Sequence, residues 1–323
     1  MPMPESQIII LPPPESPILF SQESLQQMAD YARKGLEGAA NTQRAYRADW
    51  RDFENWCQTH QQIDCPATAL TLAAYVSHMA ENHQWASITR RLAAISKHHQ
   101  RQQIDLPTKD PRFRAVMEGI KRSIGVRQKQ APAFRLQELK DIIRNMGIET
   151  PANLRDKALL LLGFTGAFRR SEIVALNLED LSFTEEGIVV SMKKSKTNQY
   201  GDSEEKALFY SPEAVLCPIR SLQTWMEKLD RQEGPLFVRV RKSDKITLDR
   251  LGDKTVNQVV KTYLGEQYSA HSLRASFITI AKLNGADDSE IMRQSKHKTS
   301  AMIQRYTRIE NIKQHNAAMK LGL

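Results

Sequence analysis

The chain has 323 residues, of which 26% are charged and 41% hydrophobic, as expected of a globular protein with room for two domains. Its net charge of +9 favours a polyanionic partner, although a basic surface without such a partner would show the same balance. No apolar run approaches the ~20 residues that span a bilayer, so we expect no membrane partner. Three cysteines lack metal-site spacing and cannot all pair, which indicates a reduced, cytoplasmic protein.

The charge is unevenly distributed along the chain. Residues 1–84 hold 5 Lys and Arg against 10 Asp and Glu, whereas residues 85–129 hold 11 against 3. A basic block therefore follows an acidic start, and it ends where a linker is predicted.

The first helical domain is predicted over residues 21–126, after a proline-rich tail at residues 1–20 that we expect to be flexible. Within it, Thr42–Cys57 reads as an amphipathic helix. Its buried stripe would consist of Tyr46, Trp50, Phe53 and Cys57. Three arginines, Arg44, Arg47 and Arg51, fall on the other side of the same helix.

A second helix of the same design is predicted over Trp85–Gln100. Its apolar face would hold Ile88, Leu92, Ile95 and His99, and its basic face Arg90, Lys97 and Arg101. Two helices with basic outer faces suit contact with a phosphate backbone, whereas either face alone would more simply be solvated. We therefore expect residues 21–126 to bind DNA.

The second domain is predicted over residues 134–323, after a polar linker at residues 127–133. Helices are expected over Leu136–Met146 and Ala152–Leu162. Short strands are expected at Ile188–Val190 and Ala207–Tyr210, with a polar turn between them and helices from Pro212 onward. The predicted fold class is mainly α, with a small antiparallel β-sheet in the second domain.

One ordered set of residues indicates chemistry. It consists of Arg169 in TGAFRRSEI, His271 and Arg274 in HSLR, His297, and Tyr306 nine positions further on. Arginine donates two parallel hydrogen bonds to a phosphate and stays charged. A phenol is a nucleophile once a cationic pocket or a base activates it. Each residue alone has an ordinary structural explanation; the set together predicts attack on a phosphodiester.

This arrangement resembles the active site of the tyrosine recombinases, the phage-integrase family, and among them the two-domain Cre-like and Xer-like type. The resemblance implies a site-specific DNA recombinase with an N-terminal core-binding domain and a C-terminal catalytic domain. It also implies a covalent bond between Tyr306 and a DNA 3′-phosphate, so that resealing needs no energy source. The catalytic residues implied are Arg169, Lys196, His271, Arg274, His297 and Tyr306.

Three details of the resemblance bear on the site. Family members supply a lysine from a β-hairpin to protonate the leaving oxygen, and Lys196 matches that position best, with Lys194 as the alternative. Glu172, three residues after Arg169, would orient the arginine. The residue before His297 is commonly glycine in the family, and this chain has Lys296.

The expected assembly is a homo-tetramer on two double-stranded DNA sites, with accessory proteins left open and association with the nucleoid when bound to DNA. The resemblance implies that the tail after Tyr306, which carries Ile309, Ile312 and Met319, docks on a neighbouring protomer; a helix that packs on its own domain is the alternative. No cofactor and no metal are expected. A type IB-like topoisomerase and a catalytically silent DNA-binding relative are the competing functions.

Overall fold

The computed structural model describes residues 21–37, 40–126, 130–192 and 204–304. The predicted tail at 1–20, Lys194, Lys196 and every residue after 304, including Tyr306, lie outside the described residues. The chain divides into two compact units, with the division between residues 129 and 130.

The described part of the first unit is helical throughout. Its helices are α1 (Gln22–Glu37), α2 (Ala40–Thr59), α3 (Ala69–Ala80), α4 (Trp85–Arg101) and α5 (Pro111–Ile124). Thr68 caps the start of α3 with its side chain, and Asp110 does the same for α5, where Pro111 occupies the first turn.

The core of this unit contains the residues that the apolar stripes predict. Phe53 and Cys57 of α2 are buried together with Ile88 and Ile95 of α4, and Tyr46 is half-buried. The His99 ring is fully buried because it has partners at both nitrogens: the Ala67 N–H donates to Nε2 at 3.0 Å, and Nδ1 lies 2.9 Å from the Ile95 carbonyl oxygen.

The second unit is a mainly helical body with two small sheets. Its helices are α6 (Leu136–Asn145), α7 (Pro151–Thr165), α8 (Arg170–Ala175), α9 (Pro218–Leu229), α10 (Asp253–Leu264), α11 (Ala270–Leu283), α12 (Asp288–Ser295) and α13 (Ser300–Gln304). Helix α7 is buried from Arg155 to Phe164 without an exposed face, because α9 and α11 both pack against it. The predicted fold class, mainly α with a small antiparallel sheet, is confirmed.

The larger sheet consists of β1 (Leu181–Phe183), β2 (Gly187–Met192) and β3 (Glu204–Phe209) in that order, all antiparallel. Residues of β3 alternate between the two faces, so Lys206 and Leu208 point into the protein while Glu205 and Ala207 are exposed. In the register of the sheet, Lys206 lies opposite Val190.

One prediction is wrong: the chain after Pro212 is not helical throughout. Strands β4 (Val238–Val240) and β5 (Ile246–Arg250) form a second antiparallel pair. These strands are too short for an alternating pattern to stand out in the sequence. They pair because the Arg241 N–H donates to the Lys245 carbonyl and closes the turn, and because Val238 is fully buried.

Candidate active site

The site is built around the turn between α7 and α8, at Gly166–Phe168. Ala167 has a positive φ of 47°, and a side chain at Gly166 would collide with the Phe168 ring, whose nearest atom lies 2.1 Å from an ideal Cβ. This sharp turn ends at Arg169, the residue that caps α8. It presents the Gly166 and Ala167 carbonyl oxygens to cations from β3 and α11.

Glu172 holds Arg169 in two ways. Its Oε1 accepts from the Arg169 Nη1 at 2.5 Å, and its Oε2 accepts from the Arg169 backbone N–H at 2.8 Å. Burial alone would raise the pKa of Glu172, but the nearby Lys206 and Arg169 lower it overall, so the carboxylate is ionised at neutral pH. The Arg169 side chain keeps 18% of its surface exposed, so part of the guanidinium remains accessible.

His271 and Arg274 lie in the first two turns of α11, which begins after the cap residue Ser269. Arg274 is fully buried, and its Nη1 donates to the Ala167 carbonyl at 2.8 Å. Burial and then the charges of Arg274 and Arg169 lower the pKa of His271.

His297 follows α12 and meets Arg274. The Arg274 Nη2 lies 3.2 Å from His297 Nε2, and the Ser295 hydroxyl lies 2.8 Å from Nδ1. Burial, followed by the charges of Arg274 and Arg169, lowers the pKa of His297 to about 3. The imidazole is therefore neutral at neutral pH and can both donate and accept a hydrogen bond.

Lys296, at the position where the family commonly has glycine, adopts a backbone conformation that suits glycine. Its φ of 54° and ψ of 41° are left-handed, the conformation that glycine adopts most easily at the end of a helix. The Lys296 N–H donates to the Met292 carbonyl at 2.7 Å, which ends α12 and directs the chain to His297.

Lys206 is the residue of the site that the sequence analysis missed. Its ammonium is buried beneath the turn and donates to the Gly166 carbonyl at 2.7 Å. The signal that could have revealed it is the alternation in β3, since Lys206 is two residues from the inward-facing Leu208. The preceding Glu204 and Glu205 instead suggested a polar turn.

The structure thus brings together Arg169, Glu172, His271, Arg274 and His297 and adds Lys206. The predicted DNA-contact residues lie in the other unit. Arg44, Arg47, Arg51 and Arg101 are exposed and Lys97 is partly exposed, while Arg90 forms an ion pair with Asp49 at 2.9 Å. Among the described residues, no cluster of three or more His, Cys, Asp or Glu could hold a metal ion. No helix in the described ranges is long and apolar enough to cross a membrane.

Comparison with known proteins identifies the class. The profile of the phage integrase family matches residues 132–312. An integrase/recombinase XerD homolog of Selenomonas ruminantium is 36% identical over 310 residues, which cover 93% of this chain and 91% of that protein. The chain therefore belongs to the phage integrase family.

Solved structures with low sequence identity share the fold. XerH site-specific recombinase bound to a palindromic difH substrate has a TM-score of 0.62 at 17% identity, covering 92% of this chain and 84% of that one. The Tn1549 transposon integrase in complex with transposon right end DNA has a TM-score of 0.61 at 15% identity, covering 92% and 99%. With the family established, the chain is a tyrosine recombinase, an enzyme of site-specific recombination, and the topoisomerase alternative is not favoured.

Proposed function

We propose that this recombinase cuts and rejoins double-stranded DNA through a bond between Tyr306 and a 3′-phosphate. The observation that carries the proposal is the convergence of Arg169 and Arg274 on one turn, with His271 and His297 beside them. Two arginines, one buried and one largely buried, create a concentrated positive potential. Such a site suits the transition state of phosphodiester cleavage, in which negative charge accumulates on the non-bridging oxygens.

The proposed steps balance without an external co-reactant. The Tyr306 hydroxyl gives its proton to the neutral His271 imidazole while its oxygen attacks phosphorus, and the bond to the DNA 5′-oxygen breaks. Lys196 gives that oxygen a proton and leaves a free 5′-hydroxyl; Lys194 is the alternative donor. In the reverse direction, a 5′-hydroxyl from another strand gives its proton back to the lysine and attacks phosphorus. The bond to Tyr306 then breaks, and the phenol oxygen takes its proton back from His271. His297, neutral at pH 7, and His271 hydrogen-bond the phosphate during both transfers.

Arg274 must become accessible for this chemistry. The side chain has no exposed surface in the structure, so it cannot contact a DNA phosphate until its covering groups move. Its hydrogen bond to the Ala167 carbonyl would hold one guanidinium nitrogen in place, and the remaining N–H groups would donate to the phosphate. Substrate binding would therefore be coupled to opening of the site.

We further propose that the first unit grips the DNA backbone. Exposed arginines on α2 and α4 support this role, and the ion pair with Asp49 makes Arg90 a weaker candidate than Lys97 and Arg101. Contacts of this kind position the protein and carry no sequence information, so recognition of the target would depend on groove contacts.

Strand exchange between two DNA sites requires several active sites in one complex, and we propose a homo-tetramer acting on DNA in the cytoplasm. The segment after Tyr306, with Ile309, Ile312 and Met319, is the candidate connection between protomers and lies outside the described residues. The requirement for accessory proteins is left to experiment.

The experiment is to map the host DNA that the protein protects and covalently binds, and then to place two copies of that site on one plasmid. The proposal expects deletion or inversion between the two copies only. Arg274→Lys, which loses the planar fork, should recombine at least roughly 100-fold more slowly. The exposed Arg293→Lys is the matched control. Relaxation of supercoiled plasmids without such products would contradict recombination and favour a topoisomerase.

A further inference from the structure

Lys206 occupies an unusual position for a lysine. The side chain has no exposed surface, and its ammonium lies 2.7 Å from the Gly166 carbonyl oxygen, 3.4 Å from that of Ala167 and 4.3 Å from the centre of the Phe168 ring. A buried ammonium is costly unless several groups compensate it. All of these contacts are made with the one turn that leads into Arg169.

The acceptors of Lys206 are shared with the two active-site arginines. The Ala167 carbonyl also accepts from Arg274 Nη1 at 2.8 Å. Glu172 Oε2, which lies 3.8 Å from the Lys206 ammonium, accepts from the Arg169 backbone at 2.8 Å. Lys206 is therefore linked to Arg274 through the Ala167 carbonyl and to Arg169 through the Glu172 carboxylate.

Lys206 is buried close to other cations. Arg169, Arg274 and Lys296 all place positive charge near Lys206, and the Glu172 carboxylate opposes them. Burial first, and then these cations, lower the pKa of Lys206 to about 7. An apolar side chain of similar length would fill the same volume but would leave the Gly166 carbonyl oxygen without the donor that it has here.

We propose that Lys206 is a positioning residue, whose ammonium holds Ala167 and Glu172 in place and thereby fixes Arg274 and Arg169 for phosphate binding. It is not the proton donor, because its nitrogen is enclosed and directed at carbonyl oxygens. It also differs from Lys196, the proposed donor, which precedes β3. This inference rests on the proposed function of the two arginines.

The test uses the full-length protein with Lys206→Met, which keeps the length of the side chain and removes the charge. Lys206→Gln, which keeps an N–H donor, is the second variant. Lys228→Met, at an exposed lysine of α9, is the matched control. Calorimetry first establishes that each variant is folded. DNA affinity and the rate of covalent adduct formation are then measured separately on a nicked duplex.

Three versions of the scissile linkage distinguish the roles. On the ordinary phosphodiester, Lys206→Met should bind DNA like wild type and cleave roughly 10- to 100-fold more slowly, the usual effect of losing a supporting partner. On a methylphosphonate, which lacks the charged oxygen that the arginines bind, the gap between variant and wild type should shrink. On a 5′-bridging phosphorothiolate, whose sulfur leaves without a proton, the gap should persist.

Each alternative has its own outcome. Wild-type cleavage by Lys206→Met, or by Lys206→Gln if the Met variant does not fold, would overturn the proposal. A defect of equal size on phosphodiester and methylphosphonate would assign a structural role. Recovery on the phosphorothiolate would make Lys206 the proton donor. If wild type itself forms no covalent adduct with its mapped site, the proposed function fails, and that result is separate from any difference between variants.

Discussion

Replacing Glu172 by Gln tests whether the site depends on a buried carboxylate. Glutamine keeps the shape and an oxygen for the Arg169 backbone N–H, but it removes the negative charge that faces Arg169 and Lys206. Breaking a buried ion pair by neutralising one partner costs about 3–5 kcal/mol. We expect the lower end, about 3 kcal/mol, because the Arg169 side chain is partly exposed and so partly screened.

The assay is calorimetric melting of the full chain at several pH values. A loss of this size in a domain of this length lowers Tm by roughly 6–12 °C. The pKa of Glu172 is lowered from its ordinary value of 4.5. Its contribution is therefore complete above that value and is lost as pH falls through the lowered pKa. The difference between Glu172→Gln and wild type should be largest at neutral pH and shrink in acid.

The exposed Glu205→Gln on β3 is the control and should melt like wild type. Equal stability of Glu172→Gln and wild type at pH 7 would refute the reasoning. A difference that does not change with pH would show that the loss is steric and not electrostatic.

Three further predictions concern other parts of the chain. Replacing Arg90, Lys97 and Arg101 together by Gln should weaken binding to all DNA sequences. It should also reduce the slope of log K against log salt concentration by roughly 0.9 per lost phosphate contact. An unchanged slope would show that these side chains do not contact the DNA. Lys296→Gly should raise the free energy of unfolding in urea by about 0.5–1 kcal/mol, because a left-handed φ of 54° is strained for lysine. A less stable variant would show that contacts of the lysine side chain outweigh this backbone strain. Cleavage should survive EDTA because Arg169 and Arg274 are proposed to supply the positive charge, and a strict requirement for a divalent ion in the cleavage step would contradict that role.

Helices α2 and α4 of the first unit were predictable because one periodicity determines both their position and their buried face. In α4, Ile88 and Ile95 are two turns apart and both are buried, and the basic residues fall on the other face. Strands β4 and β5 were not predictable in this way. Their pairing depends on burial of Val238 within the body of the unit, which is a long-range effect.

The sequence predicted four residues that the structure brings together, but it did not predict the contacts that join them. The order of Arg169, His271, Arg274 and His297 is visible in the sequence. Arg274 contacts the Ala167 carbonyl and His297 contacts Arg274, and these contacts depend on a backbone turn that no single residue of the sequence indicates. Lys206 was missed because the polar residues Glu204 and Glu205 beside it made the start of β3 look like part of the turn. In addition, lysine side chains are rarely fully buried in proteins.

The central claim is tested most directly by Tyr306→Phe on a nicked duplex that contains the mapped site. A nick beside the scissile phosphate lets the short 5′-hydroxyl fragment diffuse away, so a covalent intermediate accumulates and is seen as a slower band on a denaturing gel. Tyr263→Phe, a second tyrosine of the same unit, is the control. Wild type and Tyr263→Phe should form the adduct, whereas Tyr306→Phe should bind DNA without forming it. Peptide mapping should place the DNA on Tyr306. Adducts formed by Tyr306→Phe at the wild-type level would contradict it.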